Sequence, residues 1–217
     1  MNKVKSVLKE MQKAFLSGVS FMIPAVVAGG ILLAISLSTG TKTAKGIVIT
    51  NEFMKNLNIL GAAGMAMMIP IMAGYIAYSI AGKPGLAPGV IMGYIANNPI
   101  GNNATTKTGF LGAMIVGVAV GYLVKWIKGW NVPKPIKAIM PILVIPTVAV
   151  IVVGLAYIYL IAGPVSRFMA VVIKFLGNLN GTNEVLLAIC IGFMNAFDMG
   201  GPVTKTVSMF TLALMNE

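Results

Sequence analysis

Asp198 is the only aspartate in the chain, and it follows the uncharged run Val185 to Phe197. An aspartate held at bilayer depth costs roughly 2.5 kcal/mol or more, so a lone carboxylate in such a place is a candidate for function before it is a candidate for structure. Its neighbours are Asn195-Ala196-Phe197-Asp198-Met199-Gly200-Gly201-Pro202-Val203-Thr204-Lys205. Gly200 and Gly201 favour the end of one helix and Pro202 suits the first turn of the next, which predicts a broken or re-entrant helix near Asp198. Breaks of this kind are tolerated at membrane depth only where they face protein or a watery cavity. The carboxylate of Asp198, the amide of Asn195, the hydroxyl of Thr204 and the ammonium of Lys205 then form a donor and acceptor set suited to a polyhydroxylated solute. The alternative is an Asp198 and Lys205 pair that neutralises itself at the membrane interface. The chain has no histidine, which excludes phosphohistidine chemistry, a histidine base and histidine-bound metal; neither a metal nor a cofactor is expected. The lone Cys190 lies in an apolar run and is expected to be an inert packing residue.

The elements that must carry this set are dictated by composition. Of 217 residues 58% are hydrophobic and 10% charged, against roughly 25% charged in soluble domains. So much apolar surface cannot be hidden in one core, and lipid has to be the solvent for part of it. An all-α integral membrane protein follows, a polytopic helical bundle in one domain over residues 1–217. Long stretches free of charge place spans at Gly18 to Leu37, Ile59 to Ala81, Gly109 to Trp126 and Ile139 to Ala162.

The segment Pro84 to Thr106 is different, because only Leu86 to Ala96 is mainly apolar while prolines and asparagines crowd its flanks. It either crosses or re-enters. With the basic N-terminus inside, a crossing over residues 86–100 puts Lys83, Lys125, Lys128, Lys134 and Lys137 on the N-terminal side, and re-entry moves the last four to the other side. The positive-inside rule favours the crossing slightly. Two further stretches read as interfacial amphipathic helices: residues 2–16, where Val4, Val7, Leu8, Met11 and Phe15 keep helical spacing beside Lys5, Lys9 and Lys13, and residues 164–179, with Arg167 and Lys174 two turns apart. The net charge of +11 is spread between hydrophobic runs and fits membrane topology, not nucleic acid. The run Gly74 to Gly89 carries glycines and prolines that demand a tight turn, with Tyr75 and Tyr78 on one helix face as interface anchors. The glycines and asparagines of Gly93 to Asn103 either pack closely or line the same cavity.

Four passages taken together resemble the membrane-embedded IIC subunit of phosphoenolpyruvate-dependent sugar phosphotransferase systems, fructose family: Gly18 to Gly30, Gly74 to Gly89, Gly109-Phe110-Leu111-Gly112-Ala113, and Ala196 to Val203. They occur in the family's order. The likeness covers the N-terminal two thirds of such a domain, and the C-terminal part, with its further spans, is expected to be missing. Thr204 stands where the family pattern usually has asparagine, Asn195 where it has methionine, and Gly82 where it has aspartate.

The resemblance implies a sugar permease, fructose being the expected hexose, that translocates sugar for phosphorylation by a separate phospho-IIB protein and carries no phosphorylated residue of its own. Asp198 would then accept sugar hydroxyls or act as a base, with Asn195, Gly200, Gly201, Pro202, Thr204 and Lys205 completing the substrate site. Expected partners are IIB and IIA components, docked through Lys125, Lys128, Lys134 and Lys137, together with membrane lipid and a second copy in a homodimer. The expected location is the bacterial plasma (inner) membrane. Two other functions stand beside this one: a truncated or split IIC unit that transports nothing alone, and an ion-coupled secondary transporter with Asp198 as cation ligand.

Overall fold

The computed structural model describes residues 2–43, 46–98, 108–133 and 139–165, with single positions at 137, 167, 171, 189, 192 and 193. Five helices and one short hairpin fill this part: α1 Asn2–Ser38, β1 Thr41–Thr43, β2 Gly46–Val48, α2 Glu52–Ala81, α3 Lys83–Ala96, α4 Gly109–Lys128 and α5 Met140–Val165. Among the described residues four helices are long and apolar enough to span a bilayer: Lys5–Ser38, Glu52–Ala81, Gly109–Lys128 and Met140–Val165. These are the four spans expected from the gaps between charges, and the chain is an all-α membrane protein whose β1–β2 hairpin, two antiparallel strands of three residues each, links α1 to α2.

Helix ends depart from the sequence expectation where local capping extends them. Helix α2 starts at Glu52 because the Asn51 side-chain oxygen accepts from the N–H groups of Phe53 (2.9 Å) and Met54 (3.4 Å), and Glu52 sits favourably in the positive first turn. Residues 2–16 are helical, as expected, but they are not set apart on the membrane surface: α1 runs without a break from Asn2 to Ser38. Neither Gly18 at the junction nor Pro24 interrupts it, and Ala14 and Met22 are both buried against the bundle. The expected interfacial helix at 164–179, like the late broken helix, lies outside the described residues apart from single positions. In α5 the bonding widens from i→i+4 to i→i+5 at Met140–Val144 and again at Tyr157–Ile161, the second closing with Ala162 N–H on Tyr157 O.

Helix α2 is the hub, and small residues let the other helices close on it. A Cβ added to Gly29 of α1 would lie 2.9 Å from Gly61 O, and one on Gly117 of α4 would lie 3.0 Å from Ala73 O. In lipid there is no hydrophobic drive between helices, so close backbone approach through glycine and alanine supplies the dispersion contacts instead. Met68, Ile69, Met72, Ala73, Ile76 and Ala77 of α2 are accordingly almost fully buried. Helix α1 lies antiparallel to α2, with Gly29 beside Gly61 and Ser36 accepting from Asn58 Nδ2 at 3.0 Å.

Candidate functional site

The expected substrate residues Asn195, Asp198, Gly200, Gly201, Pro202, Thr204 and Lys205 lie outside the described residues. What the structure describes is the framework around the second constellation, Gly74 to Gly89, and the asparagines that follow it.

The turn is built on Gly82. Its φ of 78° and ψ of −162° end α2 and open α3, a backbone state that side chains with a Cβ resist. The Gly82 N–H donates to Tyr78 O at 2.7 Å, Gly85 N–H closes on Gly82 O at 3.0 Å, and Pro84 occupies the first turn of α3 where its missing N–H costs nothing. Lys128 of α4 reaches across to donate to Ala81 O at 2.8 Å, satisfying a carbonyl that the helix end leaves open. Tyr75 stacks on Phe21 of α1 with centroids 3.9 Å apart and meets Tyr78 edge-on at 5.9 Å. Tyr75 is therefore part of the α1–α2 contact, while Tyr78, 37% exposed, keeps the position of an interface anchor.

From this turn α3 folds back along α2. Gly85, Gly89 and Gly93 repeat every four residues and form one face; added Cβ atoms there would lie 2.8 Å from Ala77 O, 2.8 Å from Ala77 Cβ and 2.7 Å from Ala73 Cβ. The next position on the same face is Asn97, whose amide donates to Ala66 O at 3.3 Å. Ala66 is roughly 22 Å along α2 from Ala81 at 1.5 Å per residue. Helix α3, at 14 residues, is roughly 21 Å long and stops short of the roughly 30 Å of hydrocarbon.

The stop is finished with polar side chains. Asn98 Nδ2 donates to Tyr94 O at 2.8 Å, and Thr108, the residue before α4, donates its hydroxyl to Ala96 O at 3.1 Å. Tyr157 of α5 hydrogen-bonds the same Thr108 oxygen; since the Thr108 proton goes to Ala96, Tyr157 is the donor. Thr108 and Tyr157 are 3% and 2% exposed, so this hydroxyl chain ties α3, α4 and α5 inside the bundle. Gly112, one turn after Thr108, leaves the space the threonine side chain fills. Neither Thr108 nor Tyr157 was picked out from the sequence. Their positions are 49 apart, and the only local signal was Gly112 in the Gly109 to Ala113 passage.

Helix α4 then runs in the same direction as α2, so that Lys125 and Lys128 reach the end where Lys83 stands. This is the arrangement that the crossing of residues 86–100 requires, although α3 alone does not span. At that basic end Lys125 Nζ is 2.5 Å from Glu10 Oε1 of α1, and Tyr122 donates to the other Glu10 oxygen at 3.4 Å. Two of the lysines expected to dock a partner are thus already engaged, Lys125 with Glu10 and Lys128 with Ala81 O. Lys134 lies outside the described residues.

Among the described residues, the amides of Asn97 and Asn98 and the hydroxyl of Thr108 cluster at the end of α3, roughly 22 Å from the basic end. Comparison with known proteins shows the family. The sequence model of the family "Phosphotransferase system, EIIC" matches residues 16–217. The "PTS system fructose-specific EIIC component" of Haloferax volcanii is 36% identical over 99% of this chain and 61% of its own length. The "Fructose-like permease IIC component 2" of Escherichia coli K12 is 36% identical over 98% of this chain and 57% of its own. The "PTS system fructose-specific EIIABC component" of Bacillus subtilis is 35% identical over 94% of this chain and 32% of its own. The chain thus spans about three fifths of the length of the first two relatives. No solved structure matches.

Proposed function

Because this chain belongs to the phosphotransferase system EIIC family, we propose that it is the membrane part of a hexose permease, with fructose as the sugar and a phosphorylated IIB protein as the phosphoryl donor. It takes sugar from outside, turns a hydroxyl toward the basic end and releases sugar phosphate there by an alternating-access movement. The fructose assignment is supported by the names of the relatives, among which IIB and IIA parts are fused to IIC in single chains.

The observation that carries the reading is the polar stop of α3. Asn97, Asn98 and Thr108 hold non-helical backbone about 22 Å from the basic end, where only protein or a hydrated path can surround it. Asp198 supplies the carboxylate that accepts sugar hydroxyls, or the base toward the attacking one. Asn195, Thr204 and Lys205 orient it, and Gly200-Gly201-Pro202 break the helix so that backbone groups also reach the sugar. The basic end, with Lys83, Lys125, Lys128, Lys134 and Lys137, faces the cytoplasm and receives IIB by charge complementarity. The chain sits in the plasma membrane of a prokaryote and works as a homodimer.

The test is phosphoenolpyruvate-dependent phosphorylation of labelled fructose by membranes holding this chain, supplied with soluble phosphocarriers and IIB. Sugar phosphate above an Asp198→Asn control is the expected result. Fructose that stays unphosphorylated while another hexose is converted overturns the sugar assignment, and no conversion of any hexose by inserted protein overturns the function.

A further inference from the structure

Helices α1 and α4 both pack on α2 but barely meet one another, and an apolar slot of about 450 Å³ runs between them. Met11 and Phe15 of α1 face Leu111, Met114, Ile115 and Val118 of α4 across it. Ile115 is 41% exposed, so the slot opens on the outer side of the bundle. The α4 face that lines it continues at helical spacing through Tyr122 and Lys125. There the Tyr122 hydroxyl and the Lys125 ammonium converge on Glu10, and the indole of Trp126, 63% exposed, stands beside them, edge-on to Trp130. The slot itself is apolar, and beyond its end this face of α4 passes to hydroxyl, ammonium and indole, the order met on passing from acyl chains to headgroups.

We propose that this slot is a binding site for an anionic phospholipid, with an acyl chain between α1 and α4 and the phosphate on Lys125. The inference does not depend on the sugar reading. Two observations select this occupant. The helices of this protein approach each other through glycines, at Gly29 and Gly61, at Gly85, Gly89 and Gly93, and at Gly117 and Gly121. The slot has no such face: its walls are branched, thioether and aromatic side chains, and Ala119 is the one small residue among those that line it. A further helix would be held off by them, whereas a flexible acyl chain can follow them. The second observation is charge. Lys9, Lys13, Lys83, Lys125 and Lys128 gather at the end of the bundle where the slot terminates, against Glu10 as the one acidic side chain there among the described residues. That field favours anionic headgroups. Glu10 is the internal competitor, since it neutralises Lys125 when no phosphate does; Lys125 is 51% exposed and can be reached without unpacking the bundle.

The experiment uses the full chain reconstituted in phosphatidylcholine vesicles containing phosphatidylglycerol with a photoreactive acyl chain, and maps the crosslinked residues by mass spectrometry. Crosslinks are expected to concentrate on residues 11–15 and 111–119. Val118→Trp, which fills the slot, lowers them about tenfold, equivalent to about 1.4 kcal/mol of occupancy. Lys125→Gln leaves the apolar lining of the slot unchanged and lowers the preference for phosphatidylglycerol over an equally photoreactive phosphatidylcholine about fivefold, while Glu10→Gln raises it. Crosslinks spread evenly over outward residues such as Ile31 and Leu155 and unchanged by Val118→Trp would overturn the proposal. So would a headgroup preference that ignores both Lys125→Gln and Glu10→Gln. An Ile115→Cys variant, in a Cys190→Ser background, that forms a disulfide with a second copy in the same vesicles also overturns it, because a protein helix then fills the slot.

Discussion

Thr108→Val is the sharpest perturbation of the described framework. Valine keeps the volume and the branching of threonine and removes only the hydroxyl, so the substitution deletes the bond to Ala96 O and the acceptor for Tyr157 without opening a cavity. Hydrogen bonds between helices in a membrane protein are worth about 0.6 kcal/mol each on average, giving about 1.2 kcal/mol for the pair. Both former partners are then orphaned at a site where Thr108 and Tyr157 are 3% and 2% exposed, which raises the expected loss to about 2–3 kcal/mol. Tyr157→Phe removes one bond and leaves the threonine still tied to Ala96 O, so about 1 kcal/mol is expected. The double variant should cost less than the sum of the two, because it no longer leaves a buried tyrosine hydroxyl without a partner. Reversible unfolding in bicelles measures all three, and thermal scans should show a drop of about 4–12 °C for Thr108→Val. Thr108→Ser, which retains the hydroxyl, is the control. If Thr108→Val unfolds within about 0.3 kcal/mol of Thr108→Ser, the three-helix node carries no weight and the reasoning fails.

Gly89→Leu should prise α3 from α2, since even a Cβ there would lie 2.8 Å from Ala77 Cβ; a loss of about 1–3 kcal/mol and faster proteolysis near residue 97 are expected, and unchanged proteolysis would contradict the packing. At the turn, Gly82→Ala places a Cβ on a residue with φ of 78° and ψ of −162° and should cost about 1–3 kcal/mol, read as a lowered unfolding midpoint. Space is not the obstacle there, because the nearest atom to that Cβ is Lys128 Nζ at 3.9 Å; with ψ of −162° the backbone lies in a region that is essentially glycine-only, so Gly82→Asn should recover none of the loss. The Glu10 and Lys125 pair is 33% and 51% exposed, so Glu10→Gln should change stability by less than about 1 kcal/mol and less still in high salt. Asp198→Asn should abolish sugar binding while leaving membrane insertion intact, and isothermal titration that finds the same affinity in both proteins would remove Asp198 from the site.

Transfer energetics alone determined the spans. A charge is costly in hydrocarbon, so long, mainly apolar stretches without charge had to be the crossing helices, and the four long helices stand on four such stretches; the uncharged Pro84 to Thr106, with prolines and asparagines at its flanks, holds only the short α3. The turn at Gly82 was equally legible, because glycine and proline act through their own backbone and need no distant partner. Side-chain partnerships were less legible, and Asp198 itself lies outside the described residues. Asp198 stands out as a lone carboxylate in an apolar run, a signal carried by one residue, whereas Thr108 and Tyr157 look like ordinary residues of a helix start and a span. Their meeting depends on α3 ending beside the start of α4 and on α5 packing against both, and no local pattern encodes that. The same holds for Glu10 and Lys125, which are 115 positions apart. The continuity of α1 is not visible in the sequence, because amphipathic and fully apolar segments call for different surroundings, and only packing shows that one unbroken helix serves both. Glycine spacing was visible throughout, but a glycine's worth in a membrane lies in what approaches it, and that is decided by which helices become neighbours.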